Sequence, residues 1–446
     1  MAFSGVTRAA KYYVATDGDD LNDGTLGAPF GTFDHAINQT VPGDTIWVRG
    51  GTYDLSTRVR IQADESGEDG NRINLWAYPG ETPILDFSGM DVALNGISNG
   101  RGIQFDREAS WWHVKGLTIQ YARDNGLYSG GNGNIFERMV TRWNGDSGLQ
   151  LHDTASFNLV LNSDSYENYD SYTTNSMGEP IPGENADGFA VKDDEVGPGN
   201  IFRGNRAWGN SDDGWDTFDA TGNGVLIQNS WSFDNGFNTW GVADFAGDGT
   251  GYKLGQDGGD HVLAKLLAVN NAGHGVDINA NGTGVEVYHT TSIGNNKANW
   301  YFDELAIETA NLHVLKNNIS YDGNDGDVFY SGVDDSFNSW NGKLVTDDDF
   351  ESLERIVSLV DLLKAPRRAD GGLPDLGDYL HLVPNSDLVD MGMPISFEFG
   401  GKSYELAYNG LAPDLGAFEV PEPAAMTLAL GALLGLVVLR QSRDQR

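Results

Sequence analysis

The 446-residue sequence predicts an all-β fold, a right-handed parallel β-helix with short helical caps. Three observations predict it: a glycine-anchored repeat about one solenoid coil long, a two-residue alternation inside each repeat, and amphipathic segments placed to cover both ends.

The repeat comes first, because a fixed period decides the architecture. Aligning Gly102-Ile103, Gly126-Leu127, Gly148-Leu149, Gly188-Phe189, Gly214-Trp215, Gly251-Tyr252, Gly275-Val276 and Asn299-Trp300 gives steps of 24, 22, 40, 26, 37, 24 and 24. Four of the seven steps are 22 or 24, the length of one β-solenoid coil. The two long steps carry inserts rich in Gly, Asn, Asp, Ser and Thr, at about residues 166–186 and 236–250, which read as loops.

Inside each repeat, positions one and three after the anchor hold Ile103/Phe105, Leu149/Leu151, Phe189/Val191, Trp215/Thr217, Tyr252/Leu254, Val276/Ile278 and Trp300/Phe302. Positions two and four hold Gln104/Asp106, Gln150/His152, Ala190/Lys192, Asp216/Phe218, Lys253/Gly255, Asp277/Asn279 and Tyr301/Asp303. Apolar-in, mostly polar-out alternation marks strands with one buried face, and a helix of 3.6 residues per turn would not produce it. Ser129 and Phe218 are the exceptions.

A solenoid must cover its terminal edges. Phe33, Ala36 and Ile37 predict a short amphipathic turn at the N-terminal end. Phe350, Leu353, Ile356, Val357 and Val360 have helical spacing and predict a cap at the other end, with residues 414–419 closing the domain. The expected division is a lead at 1–11, one β-helix over 12–419 and a tail at 420–446. The chain is expected to be a monomer.

Composition narrows the function. A net charge of -37 excludes nucleic acid, since nothing here would neutralise phosphates. The absence of cysteine excludes disulfides and thiolate metal sites, which leaves hard oxygen ligands as the metal chemistry.

Strands of successive coils lie about 4.8 Å apart, so equal positions in the repeat are neighbours. The position before the anchor holds Asp187, Asp213, Thr250 and His274; position two holds Ala190, Asp216, Lys253 and Asp277. Asp187 and Asp213 are therefore expected side by side, with Asp212 adjacent and Asp216 just past the glycine. Any single pair reads as a solvated acidic surface. Four together, with no lysine or arginine between them in the columns, call for a hard cation such as Ca2+. Lys253 is expected one coil from Asp216 and one from Asp277. A nearby cation would lower its pKa and flanking carboxylates would raise it, so the net sign stays open here.

Three segments carry a resemblance: 185–192 (NADGFAVK), 205–216 (NRAWGNSDDGWD) and 251–255 (GYKLG). They resemble family 9 polysaccharide lyases, as does the opening from Tyr12-Tyr13-Val14 to Tyr53. The resemblance implies that Asp187, Asp212, Asp213 and Asp216 bind calcium and that Lys253 is the catalytic base. The implied activity is β-elimination on pectate, polygalacturonate or a related uronate polymer, an acidic polysaccharide. Lys192, His274, Asp277 and Asn279 face the same side as candidate sugar contacts, with solvated or structural roles as the plainer reading. Two rivals remain. One is a non-catalytic polysaccharide-binding or surface-anchored solenoid. The other is a polygalacturonase-like hydrolase, for which Asp212-Asp213 and Gly273-His274-Gly275 are superficial matches without the basic triplet.

The chain end carries its own signal. Pro421-Glu422-Pro423, an apolar run over 424–439 and Arg440, Arg443 and Arg446 resemble a PEP-CTERM sorting signal. That resemblance implies export to the cell surface or beyond through a membrane sorting machinery. The first eleven residues lack the apolar core of a signal peptide; a wrongly chosen start codon is the preferred explanation, and a plain tail anchor is the alternative.

Overall fold

The computed structural model describes residues 9–91, 100–256, 258–303, 313–330 and 332–421. Three parallel sheets of 12, 10 and 10 strands span residues 11–334, and from Thr45–Val48 on consecutive strands pass from one sheet to the next. Sheet I runs from Lys11–Val14 to Val333–Asp334, sheet II from Val59–Ile61 to Val328–Phe329, and sheet III from Gly51–Asp54 to Ile319–Tyr321. This is the coiling of a parallel β-helix.

The repeat columns become the ladder of sheet II. Ile103, Leu127, Leu149, Phe189, Trp215, Tyr252, Val276 and Trp300 pair in one register, strand upon strand. Their side chains are buried in one continuous core. Within it Phe189 stacks on Trp215 at 4.8 Å, and Trp215 on Tyr252 at 5.0 Å. Such offset stacks add about 0.5–1.5 kcal/mol each beyond burial. Ser129 is buried and Phe218 faces out, as their departure from the alternation implies.

From residue 121 on, each coil leaves sheet III through one left-handed residue followed, in six coils, by a buried asparagine. Trp143-Asn144, Glu167-Asn168, Gly209-Asn210, Asp234-Asn235, Asn270-Asn271 and Gly294-Asn295 all show it. The asparagine Nδ2 donates to the next Oδ1 at 2.8–3.0 Å from Asn144 through to Asn299. The ladder satisfies buried amides that would otherwise be costly and fixes the turn from which the site grows.

Helix Phe33–Asn38 caps the N-terminal end, with Phe33, Ala36 and Ile37 buried. The C-terminal cap helix does not form. Ile356–Val357 and Val360–Asp361 make an antiparallel hairpin through Ser358 and Leu359, both left-handed. Ile356, Val357 and Val360 are exposed, whereas Phe350 is buried. β-Branched pairs flanking a two-residue left-handed turn favour a hairpin over a helix. Arg355 anchors the hairpin on Asp234 and Asp361.

The C-terminal segment covers the outer faces of sheets III and I. Leu363, Leu376, Tyr379 and Leu380 pack on Trp208, Trp231, Phe233 and Leu267; Ile395, Phe397 and Phe399 pack on Leu226, Val262 and Tyr288. Arg206 and Arg367 clamp the buried Asp164 between them. Residues 414–419 close the domain, with Leu415 buried and Ala417 N donating to Thr291. The outer face of sheet II keeps its polar columns. Among the described residues no helix is long and apolar enough to cross a membrane. Most of the lead, 1–8, and the tail from Glu422 lie outside the described residues.

Candidate active site

The aspartates converge where sheet II begins. Asp187, Asp212, Asp213 and Asp216 are all buried, and oxygens of Asp187, Asp213 and Asp216 lie within 4.8 Å of one another. Backbone donors fix several of them. Asp213 Oδ1 accepts from Thr250 N at 2.6 Å, Asp212 Oδ1 from Asp248 N at 2.6 Å, and Asp187 Oδ1 from Asp213 N at 3.3 Å. Asp216 Oδ1 accepts from Phe218 N.

Two lysines meet this cluster from the sheet. Lys192 Nζ donates to Asp187 Oδ2 at 2.9 Å and lies 3.0 Å from Asp216 Oδ2. Lys253, paired in register between Asp216 and Asp277, donates to Asp248 Oδ2 at 2.8 Å and lies 3.2 Å from Asp213 Oδ2. Lys192 therefore sits among the carboxylates themselves rather than on the outer sheet face with His274 and Asn279.

Five carboxylates against two ammonium groups leave a net negative cavity. Burial pushes the Asp213 carboxyl well above its usual value, and Asp187 and Asp216 add to this against Lys253. Burial likewise raises Asp212, reinforced by Asp213 and Asp187, and Asp187 moves up despite Lys192. Burial opposes the Lys253 ammonium, but Asp213, Asp216, Asp212 and Asp248 outweigh it and hold the group well above an ordinary lysine. Among protein charges alone, the carboxylates decide the sign.

Asp213 Oδ2 is buried and accepts no hydrogen bond. A buried oxygen that meets the Lys253 ammonium at 3.2 Å without a formed hydrogen bond, beside two further carboxylates, fits a hard cation, and the oxygen-only donor set suits Ca2+.

The other candidates are more distant from this cluster's chemistry. Asp277 Oδ1 accepts from Asn279 N at 2.6 Å, and burial raises its carboxyl to about 6. Asn279 takes a left-handed backbone. His274 stacks on Tyr301 at 4.3 Å, and burial lowers its ring to about 4, so it is neutral at neutral pH.

Sequence reasoning missed two carboxylates. Asp248 lies in the second insert, which folds back over the site, so the columns do not reach it. Asp146, raised to about 7 by burial and by Asp124, extends the acidic line toward the N-terminal coils. The two-coil recurrence of Asp124 and Asp146, each two residues before its anchor, was the available signal.

Fold and site together define a β-helical protein with a buried carboxylate cluster and a lysine beside it. Residues 12–322 match the family model described as Pel9A-like, right handed beta helix region. The chain belongs to that family, and the hand expected from the sequence is the family's. It is 36% identical over 424 residues to pectate lyase L of Dickeya dadantii (strain 3937), covering 93% of this chain and 92% of that one. Against the crystal structure of pectate lyase Pel9A the TM-score is 0.80 at 34% identity, over 94% of this chain and 98% of that one. A rhamnogalacturonan lyase aligns with a TM-score of 0.67 at 28% identity, over 84% of this chain and 97% of that one.

Proposed function

We infer that the protein is a pectate lyase that cleaves polygalacturonate by β-elimination. The observation that carries this reading is Lys253 beside the buried aspartate cluster, in a chain whose relatives are pectate lyases along nearly all their length. The role of Lys253 is to take the proton from the uronate carbon next to the carboxylate. The electron pair left behind forms the double bond as the glycosidic C–O bond on the next carbon breaks. The products are an unsaturated sugar end and, once the departing oxygen takes a proton from water, a free hydroxyl. Asp248 accepts from Lys253 Nζ and aims the amine.

Asp187, Asp212, Asp213 and Asp216 would hold calcium. Bound there, calcium supplies a Lewis acid for the substrate carboxylate and offsets the aspartate charge that otherwise keeps Lys253 protonated. Lys192, His274, Asp277 and Asn279 are assigned to sugar contact and to orienting Lys253, with Lys192 also bridging Asp187 and Asp216. The partner is an acidic polysaccharide met by a monomer, and the substrate implies export. The Pro-Glu-Pro tail would serve that export as a sorting signal, and mass spectrometry of protein from its native host should find most of residues 424–446 removed.

The likeness to a rhamnogalacturonan lyase favours one second reading, the same chemistry on the branched polymer. Ultraviolet absorbance of the unsaturated product separates the two. Calcium-dependent product from polygalacturonate, well above that from rhamnogalacturonan, is expected; the reverse ranking selects the second reading, and no product from either removes the lyase assignment.

A further inference from the structure

The turn leaving sheet III requires a left-handed backbone in every coil from residue 121 to residue 322. Gly209, Asp234, Asn270, Gly294 and Asp322 meet that requirement with residue types that adopt it readily. Three successive coils do not: Tyr121 has φ 59, Trp143 φ 58 and Glu167 φ 54. Left-handed aromatics also occur at Trp111, Phe157 and Phe337, so Tyr121 and Trp143 stand out for lining one groove rather than for their backbone. Tyr121 is 40% exposed, whereas Trp143 carries Arg142 over its ring at 4.0 Å and donates Nε1 to Glu167 Oε2 at 2.7 Å.

The two rings stack on each other with centroids 5.2 Å apart and planes at 27°. A second stacked pair, Tyr169 on Trp240 at 4.7 Å and 17°, is supplied by the two inserts that also wall the aspartate site. Between the pairs lies an open groove of about 410 Å³. Arg123 lines it and donates to Tyr172 Oη at 2.8 Å; its Nε is buried without a hydrogen-bond partner. Exposed aromatic faces suit the apolar C–H faces of pyranose rings, and a guanidinium lining the groove suits a carboxylate. Glu167 lines the groove too and is engaged by Trp143 Nε1, which leaves Arg123 as the lining residue suited to an anion.

We propose that this groove, on the sheet III side of the inserts, is a second polysaccharide-binding site that takes an acidic pyranose chain, through Tyr121, Trp143, Tyr169 and Trp240 as stacking planes and Arg123 as the carboxylate contact. It would hold a stretch of polymer away from the cleavage site. The identity of that polymer as polygalacturonate rests on the pectate-lyase reading.

The test is the double variant Tyr121→Asn/Trp143→Asn of the full chain, with and without Arg123→Gln. Asparagine tolerates the left-handed backbone, so the melting temperature should hold or rise. Turnover of a galacturonate tetramer, the short substrate, should be unchanged, while KM for polygalacturonate should rise about tenfold, the loss expected from two stacking contacts. Arg123→Gln should raise that KM further. An unchanged polymer KM in the double variant overturns the site. Parallel loss of melting temperature and tetramer turnover also overturns it, making the rings packing elements. If the polymer KM rises with Tyr121 and Trp143 replaced but ignores Arg123→Gln, the acidic ligand class is wrong. A wild type that cleaves neither substrate would instead refute the lyase reading, so the two failures are distinct.

Discussion

The ammonium of Lys253 lies 3.2 Å from Asp213 Oδ2, an oxygen that is buried and accepts no hydrogen bond. That relationship joins the proposed base to the proposed cation site. One charge must be balanced by the other, so each should respond when its partner is altered.

Asp213→Asn should therefore cost calcium affinity heavily. Its second oxygen is the one with no other donor, and the amide brings no charge. Calorimetry on chelator-stripped protein should show affinity lower by at least about a hundredfold, beyond the ten- to hundredfold typical of losing an outer-shell partner. Undiminished binding would move the cation elsewhere.

Asp212 gives a prediction of opposite sign for stability. Its carboxyl is raised by burial and by Asp213, so the folded chain binds a proton that the unfolded chain releases. Ionisation above the usual carboxylate range then costs stability, which should fall as pH rises from about 4 through the raised folded value. In chelator, Asp212→Asn should raise the melting temperature near neutrality by roughly 2–5 °C and flatten that pH dependence. With calcium present the same variant should lose stabilisation by the metal. A lower melting temperature in chelator would show that the cluster is not under charge strain.

Trp215 links the core to the site. It stacks between Phe189 and Tyr252, and Asp216 follows it on the same strand. Trp215→Ala should lower unfolding free energy in urea by about 3–5 kcal/mol. A loss under about 1 kcal/mol would mean the stack carries little of the coil-to-coil packing.

Much of this was legible in the sequence because both periods are short and physical. The two-residue alternation placed Phe189, Trp215, Tyr252 and Val276 inside, and the coil step brought Asp187, Asp213, Asp216 and Lys253 together. The asparagine ladder was harder to see, since inserts spread its members over separations of 24, 42, 25, 36 and 24 residues. Asp248 was hidden because a loop, unlike a strand, has no register. The C-terminal hairpin was misread because Phe350, Leu353, Ile356, Val357 and Val360 fit a helical spacing that the turn at Ser358-Leu359 overrides. The role of Lys192 as a partner of Asp187 and Asp216 depended on side-chain reach across the anchor glycine, which position alone does not give.

The central claim is that Lys253 takes the proton. The most direct measurement is the rate of unsaturated product formation from polygalacturonate by Lys253→Arg, in saturating calcium, beside wild type and Lys253→Ala. Arginine keeps the positive charge beside Asp213 and Asp248 but stays protonated at any workable pH. Both variants should fold, bind calcium and lose at least about a thousandfold in kcat, within the range ascribed to a positioned general base. Near-wild-type turnover by the arginine variant would contradict it, because a group that cannot accept a proton would then be sufficient.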